Sequence, residues 1–230
     1  MDHFSIPPLT RAPIRRMGRR KGRVDVERPI MKVKICGITS REDALTACDY
    51  GAAAIGFVFY KKSPRYIKPE QAIEIIKHLP AFVSTVGVFV DENINVIQTI
   101  TGTLGLHYVQ LHGNEPLRMI TEIGNKAIKA FRVHDAASIN EINKSGLSIV
   151  LLDSYTNEFG GSGKLFDHTL LNGLSGSIKF ILSGGITPDN VHKIVTTYKP
   201  YAIDVSSGVE ISPGRKSKEK LKLLFETLSI

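Results

Sequence analysis

Cysteine is almost missing. Cys36 and Cys48 are the only two in 230 residues, and neither falls in a CxxC or Cys/His spacing, which argues against a zinc site or a disulfide framework. No secretory signal opens the chain, so the two thiols fit a reducing, cytosolic setting. No apolar run approaches the ~20 residues that span a bilayer, and no membrane partner is expected. The histidines other than His112 form no constellation. The glycine-rich run Gly160-Gly161-Ser162-Gly163-Lys164 has neither the spacing of a Walker A loop nor the Ser/Thr that should follow its lysine. What remains is 42% hydrophobic and 23% charged. This length suits one barrel of alternating strands and helices, or one to two smaller domains, and buries a large core without staples.

Charge is unevenly spread. Residues 1–30 hold eight basic and three acidic side chains, so they supply +5 of the net +8 and leave +3 for the rest. With prolines at 7, 8, 13 and 29 and few core formers, this segment reads as a flexible basic extension. It could be a nucleic-acid arm, an organelle transit peptide, or translated sequence upstream of a start at Met31. The acidic residues fit transit peptides poorly, and Met31 directly precedes the first strand. The globular part is only mildly basic, so no nucleic-acid partner is expected of it. If a nucleic-acid arm is present, deleting residues 1–30 abolishes salt-dependent retention on DNA or RNA.

From residue 31 to 230, strand-like and helix-like runs alternate. Strands are expected at Lys32–Cys36, Ala53–Phe59, Ser84–Val90, Tyr108–His112, Ala127–Val133, Ser148–Asp153, Lys179–Ser183 and Ala202–Ser206. They are Val/Ile/Phe-rich with little polar alternation, as in strands buried on both faces. Amphipathic stretches between them include Ser40–Tyr50, Pro69–His78, Glu115–Gly124, Pro188–Tyr198 and Ser217–Leu228. Pro69, Pro116 and Pro188 sit near helix starts, where a missing N–H costs nothing. Eight such units read as a single α/β domain, a (β/α)8 TIM barrel. A doubly wound open sheet is the alternative. The helical segment after strand six, Asp167–Asn172, is short, and with one barrel's worth of sequence no fused second enzyme is expected.

Chemistry in such folds gathers at the carboxyl ends of strands. Cys36 ends strand one, before Gly37 and a helix start at Thr39. By itself a Cys in an apolar stretch is a small buried hydrophobe, but Lys34 shares its face and a cation favours the thiolate. Asp153 ends strand six; alone it is a turn cap. Gln110 and His112 share a face of strand four. Ser183-Gly184-Gly185 follows strand seven and Asp204-Val205-Ser206-Ser207-Gly208-Val209-Glu210 follows strand eight. Small residues there let backbone amides approach an anion, and two such loops in succession point to a phosphate monoester. The glycines after strand six, Gly161 and Gly163, offer amides to the same phosphate. Arg65, in Lys61-Lys62-Ser63-Pro64-Arg65-Tyr66, is either a solvated loop charge or a carboxylate clamp.

As an ordered set, Lys-Ile-Cys-Gly-Ile-Thr, Gly-Phe-Val-Phe-Tyr with Ser-Pro-Arg-Tyr, Val-Gln-Leu-His-Gly, Leu-Leu-Asp, Gly-Gly-Ser-Gly-Lys-x-Phe-Asp, Leu-Ser-Gly-Gly and Asp-Val-Ser-Ser-Gly-Val-Glu closely resemble the phosphoribosylanthranilate isomerase family. The likeness covers about residues 32–228. It implies a cytoplasmic tryptophan-biosynthesis enzyme without metal or other cofactor, monomeric or homodimeric. The implied reaction is an Amadori rearrangement of N-(5-phosphoribosyl)anthranilate to 1-(2-carboxyphenylamino)-1-deoxyribulose 5-phosphate. It further implies Asp153 as the general acid that opens the furanose ring, Cys36 as the general base at C2, and Arg65 on the anthranilate carboxylate. Gln110, His112, Gly161, Gly163, Gly184, Gly185, Asp204, Ser206, Ser207 and Gly208 are the remaining expected substrate contacts.

The reaction needs a proton donor and an acceptor on opposite sides of the sugar, which strands one and six can supply across a barrel mouth. Asp153 works best with a raised pKa and Cys36 with a lowered one. Lys34 either causes the latter or pairs with Asp204; both can hold. The related histidine-pathway isomerase has an aspartate in the place of Cys36, so the thiol argues against that rival and against a dual-substrate enzyme. A barrel serving only as a scaffold has no need of Cys36, Asp153 and Arg65 together.

Overall fold

The computed structural model describes residues 31–154 and 167–229. Residues 1–30, and Gly161 and Gly163 of the loop after strand six, lie outside the described residues. In chain order the elements are β1 (Lys32–Cys36), α1 (Arg41–Asp49), β2 (Ala54–Val58), α2 (Pro69–Ile76), β3 (Ser84–Phe89), α3 (Ile94–Leu104), β4 (Tyr108–Leu111), α4 (Arg118–Ile123), β5 (Ala127–Val133), α5 (Ala136–Lys144) and β6 (Ile149–Ser154). A 3₁₀ segment, His168–Gly173, precedes β7 (Lys179–Leu182), α6 (Val191–Tyr198) and β8 (Ala202–Val205). A 3₁₀ turn, Ser207–Val209, then leads to β9 (Glu210–Ser212), β10 (Arg215–Lys216) and α7 (Lys218–Leu228).

Strands β1 to β8 form a closed parallel barrel. Closure runs through β1 and β8, with Lys34 opposite Asp204 in register. Each strand is buried on both sides, which is why its sequence is nearly continuously apolar. Outward-facing Val33, Ile35, Val109, Val150, Leu152 and Ile203 pack beneath the helices in the main core. Inward-facing Ile128, Ala130, Leu151, Ile181 and Ala202 fill the barrel as a separate cluster. The expected (β/α)8 architecture is the one observed, and every expected strand lies within a residue of its observed end at both termini.

Three departures have physical causes. The helix expected to start at Thr39 is capped one residue later, because Ser40 Oγ accepts from Asp43 N–H at 3.1 Å while Thr39 Oγ1 donates to the Gly214 carbonyl at 2.6 Å. The stretch expected from Glu115 is helical only from Arg118, because the Glu115 carboxylate turns inward. It accepts from the N–H groups of Asp91 and Gly113 and from Lys129 Nζ, all at 2.9–3.0 Å. Finally, β9 and β10 form an antiparallel two-stranded ribbon where only a loop and a helix start were expected.

Candidate active site

The mouth of the barrel is built by alternation along each strand. On β1 the inward side chains are Lys34 and Cys36, both buried. Lys34 Nζ donates to Asp204 Oδ1 at 2.9 Å, so strands β1 and β8 are joined across the interior as well as along their edges. Lys34 Nζ and Cys36 Sγ also lie side by side against Gly56, where a Cβ would stand 3.1 Å from the one and 2.9 Å from the other. Of the two roles weighed for Lys34, the pairing with Asp204 is observed, and its pull on the Cys36 thiol is present but does not win.

The expected lowering of the Cys36 pKa does not occur. Burial raises it, Lys34 and Lys216 pull it down, Asp204 pushes it up, and the net shift is upward. The thiol has too little water around it for two ammonium groups to outweigh its desolvation. The Lys34 pKa is raised as well, for the opposite reason. Burial alone would discharge it, but Asp204 and Cys36 hold its pKa above the ordinary lysine value.

Across the mouth, three strands away around the ring, Asp153 stands at the end of β6. His112 Nε2 lies 3.0 Å from Asp153 Oδ2, and Gln110 Nε2 lies 2.7 Å from His112 Nδ1. Gln110 donates to Nδ1, which fixes the tautomer that carries the proton on Nε2 and donates it to the carboxylate. Gln110 and His112, expected as substrate contacts, form a hydrogen-bonded chain that ends on Asp153. Sequence could place them on one face of β4, but not opposite β6.

Arg65 is neither a solvated charge nor an unattached clamp. It is buried, with Nε 2.9 and 3.1 Å from the two carboxylate oxygens of Glu210 and Nη2 2.7 Å from Oε2. Its stem crosses so close to Gly37, at φ 74°, that a Cβ there would stand 2.5 Å from Arg65 Cδ. Only glycine permits both the backbone angle and the approach.

The loops after β7 and β8 interlock. Gly184 and Gly185 both have positive φ, 85° and 64°. Asn190 holds their loop by donating to the Gly185 carbonyl at 2.8 Å and accepting from Thr187 N–H at 2.9 Å. A Cβ on Gly208 would overlap the Ile186 carbonyl oxygen, so the two glycine loops meet backbone to backbone. Ser206 and Ser207 are half-buried beside them, and Ser206 Oγ donates to the Cys36 carbonyl at 3.1 Å. Asp204, two residues below Ser206 on the same face, is buried against Lys34.

Two residues at the site were not singled out from sequence. Lys216 lies wholly buried under β1, 2.6 Å from the Cys36 carbonyl; a lysine after a Pro-Gly turn reads as surface, so no signal marked it. Arg132 stands on β5 in register with Asp153 and lines a cleft of about 310 Å³ with Lys129, His134 and Glu141. Alternation from Ile128 and Ala130 could have found it. Among the described residues, no cluster of three or more His, Cys, Asp or Glu could hold a metal ion, and no helix is long and apolar enough to cross a membrane.

Comparison with known proteins bears on this geometry. The sequence profile described as N-(5'phosphoribosyl)anthranilate (PRA) isomerase matches residues 33–227. The N-(5'-phosphoribosyl)anthranilate isomerase of Geobacter sp. (strain M21) is 47% identical over 192 residues, which are 83% of this chain and 94% of that protein. The crystal structure of phosphoribosyl anthranilate isomerase from Thermotoga maritima superposes with a TM-score of 0.80 at 42% identity, over 86% of this chain and 98% of that one. Monomers generated from the same dimeric protein give 0.76 at 37%, with the same coverage. A phosphoribosyl anthranilate isomerase in complex with reduced 1-(o-carboxyphenylamino)-1-deoxyribulose 5-phosphate gives 0.75 at 38% identity, again covering 86% of this chain and 98% of that one.

Proposed function

The chain belongs to the N-(5'-phosphoribosyl)anthranilate isomerase family, and from that membership we propose how its own residues divide the work. The reaction is the isomerisation step of tryptophan biosynthesis, in which an aminoaldose phosphate becomes an aminoketose phosphate. Asp153 gives its proton to the furanose ring oxygen as the C1–O bond breaks and the anthranilate nitrogen's lone pair forms the C=N⁺ bond. The Cys36 thiolate then takes the C2 proton, and the C2–H electrons move to C1=C2 and neutralise the nitrogen. The resulting enolamine passes its hydroxyl proton to C1 and becomes the ketone. One proton leaves the enzyme and one is returned, so no cofactor is consumed.

The observation that carries this reading is the placement of an acid and a base across one mouth. Cys36 ends β1 and Asp153 ends β6, with His112 and Gln110 orienting the carboxylate and two ammonium groups offsetting part of the burial that disfavours the thiolate. Arg65 meets the anthranilate carboxylate. The backbone amides around Gly184, Gly185, Ser206, Ser207 and Gly208 take the phosphate, with Gly161 and Gly163 contributing from the loop after β6. Asp204 serves by holding Lys34. The substrate is thereby gripped at its two anionic ends while the ribose centre reacts.

Residues 31–230 are the catalytic domain, and the reaction belongs in the cytosol, where both cysteines stay free. The working form is a homodimer. Phe82 supports this: at φ 70° and 103% exposure, it projects an apolar ring from the loop before β3, at the amino end of the barrel. Half-exposed Tyr108 and Tyr201 lie at the amino ends of β4 and β8.

The test is the fluorescence decay of phosphoribosylanthranilate formed from anthranilate and phosphoribosyl pyrophosphate, with indoleglycerol-phosphate synthase drawing off product. Cys36→Ala and Asp153→Asn should each lose ~10²-fold or more. Full activity in either variant removes that residue from proton transfer.

A further inference from the structure

Lys216 has no exposed side-chain surface, and no step of the mechanism uses it. Its ammonium donates to the Cys36 carbonyl at 2.6 Å, to Glu210 Oε1 at 2.7 Å and to the Ser206 carbonyl at 3.3 Å. An ammonium has three protons, and these three acceptors use them all, so none remains for substrate. Glu210 is as fully engaged. It takes Lys216, both Nε and Nη2 of Arg65, and the N–H of Gly214 at 3.3 Å.

The β9–β10 ribbon that carries these two residues is tied down at several points. Lys216 N–H donates to Asp43 Oδ2 at 3.0 Å, Thr39 Oγ1 donates to the Gly214 carbonyl at 2.6 Å, and Lys220 Nζ reaches the Glu210 carbonyl at 2.8 Å. Burying an ammonium is costly unless its geometry and partners are complete. Burial depresses the Lys216 pKa despite Glu210, whereas Arg65 and Lys216 together overcome burial and lower that of Glu210. The three acceptors around Lys216 Nζ call for its three-proton form.

We infer that Lys216 and Glu210 are positioning residues for the isomerisation, fixing as one rigid frame the backbone that bears Cys36, the phosphate-loop backbone at Ser206, and the guanidinium plane of Arg65. The inference rests on the roles proposed above for Cys36 and Arg65. Those groups come from three different strand ends, and nothing in the local sequence of any of them sets their mutual distance. With Nε and Nη2 held by Glu210, Arg65 turns a preoriented edge to the substrate carboxylate. Two cations against one carboxylate leave the cluster one positive charge, the sign that carboxylate needs.

The experiment compares phosphoribosylanthranilate with N-(5-phosphoribosyl)aniline, which lacks the carboxylate, in Arg65→Ala, Glu210→Gln, their double variant and Lys216→Met. Arg65→Ala and Glu210→Gln should each raise KM for the native substrate about tenfold or more, with little change for the aniline analogue. The double variant should be no worse than Arg65→Ala, because Glu210 acts through Arg65. Lys216→Met should lower kcat about tenfold or more for both substrates, since it frees the backbone under Cys36. If Arg65→Ala discriminates but Glu210→Gln does not, or if the double variant is additive, the inference falls and the role of Arg65 stands. Unchanged kcat in Lys216→Met also overturns it. If Arg65→Ala treats both substrates alike, the role of Arg65 falls first and takes this inference with it. Should Glu210→Gln or Lys216→Met not fold, Glu210→Asp carries the comparison, because it keeps the charge but draws the carboxylate back from Arg65.

Discussion

The sulfur of Cys36 occupies space that any side chain on Gly56 would need. A Cβ built on Gly56 stands 2.9 Å from Cys36 Sγ and 3.1 Å from Lys34 Nζ. The two residues are also register partners on β1 and β2, so neither strand can slide to relieve the contact. Glycine on the inner face of β2 therefore leaves room for a thiol and an ammonium side by side.

Gly56→Ala should fold, because its φ lies outside the left-handed region that favours glycine, but its methyl must push the thiol off its position. We expect kcat to fall about tenfold or more, since misplacing a reacting group by about 1 Å can cost ~10²-fold. A variant with native kcat would show that the thiol is not the reacting base.

Alkylation of Cys36 by iodoacetamide, in a Cys48→Ser background, should follow a pH curve displaced to the alkaline side of an ordinary thiol. The sign follows from burial raising the Cys36 pKa: the thiolate is the reactive form, so reactivity climbs only as pH passes the raised value. Lys34→Met, which removes the larger cationic influence, should move the curve further up. A curve on the acid side would contradict burial as the dominant cause.

The Lys34–Asp204 pair is buried on both sides, at 7% and 4% exposure. Asp204→Asn strands the ammonium and should cost ~3–5 kcal/mol in chemical denaturation, whereas a Lys34→Met/Asp204→Leu double variant should lose clearly less. Because the folded pKa of Lys34 is raised, its contribution is fully present below the unfolded lysine pKa and disappears only as pH rises through the folded value. Stability should show no Lys34 titration near neutrality. Equal losses in the single and double variants would mean that packing, not charge, decides the site.

Gln110→Leu separates orientation from stability. The amide oxygen of Gln110 is buried without a hydrogen-bond partner, a situation that costs ~1–3 kcal/mol, while its nitrogen serves His112. The substitution removes both, so denaturant stability should hold or rise while kcat falls several-fold. Unchanged kcat would leave the relay to Asp153 without a role.

Phe82→Ser should convert a dimer to a monomer in sedimentation velocity without unfolding the barrel, since the ring makes no contact within its own chain that keeps it from solvent. A native dimer in that variant would move the interface elsewhere.

All eight strands were legible in the sequence, because strands sandwiched between helices and a barrel interior must be apolar on both faces, and such runs are short and plainly bounded. Cys36, Asp153, Gly184, Gly185, Ser206 and Gly208 were legible as strand-end residues for the same reason. Less of the site's wiring could be read. His112 faces Asp153 only because closure brings β4 and β6 to one mouth, and Arg65 meets Glu210 across 145 positions of chain. Lys216, on a turn whose local sequence says surface, is folded under Cys36 by a ribbon that periodicity did not mark. The chain's own pattern thus determined the barrel, the reaction family and which residues stand at the strand ends. Tertiary structure alone decided the partners of those groups and the direction of the Cys36 shift, because burial and proximity between distant segments exist only once the barrel has closed.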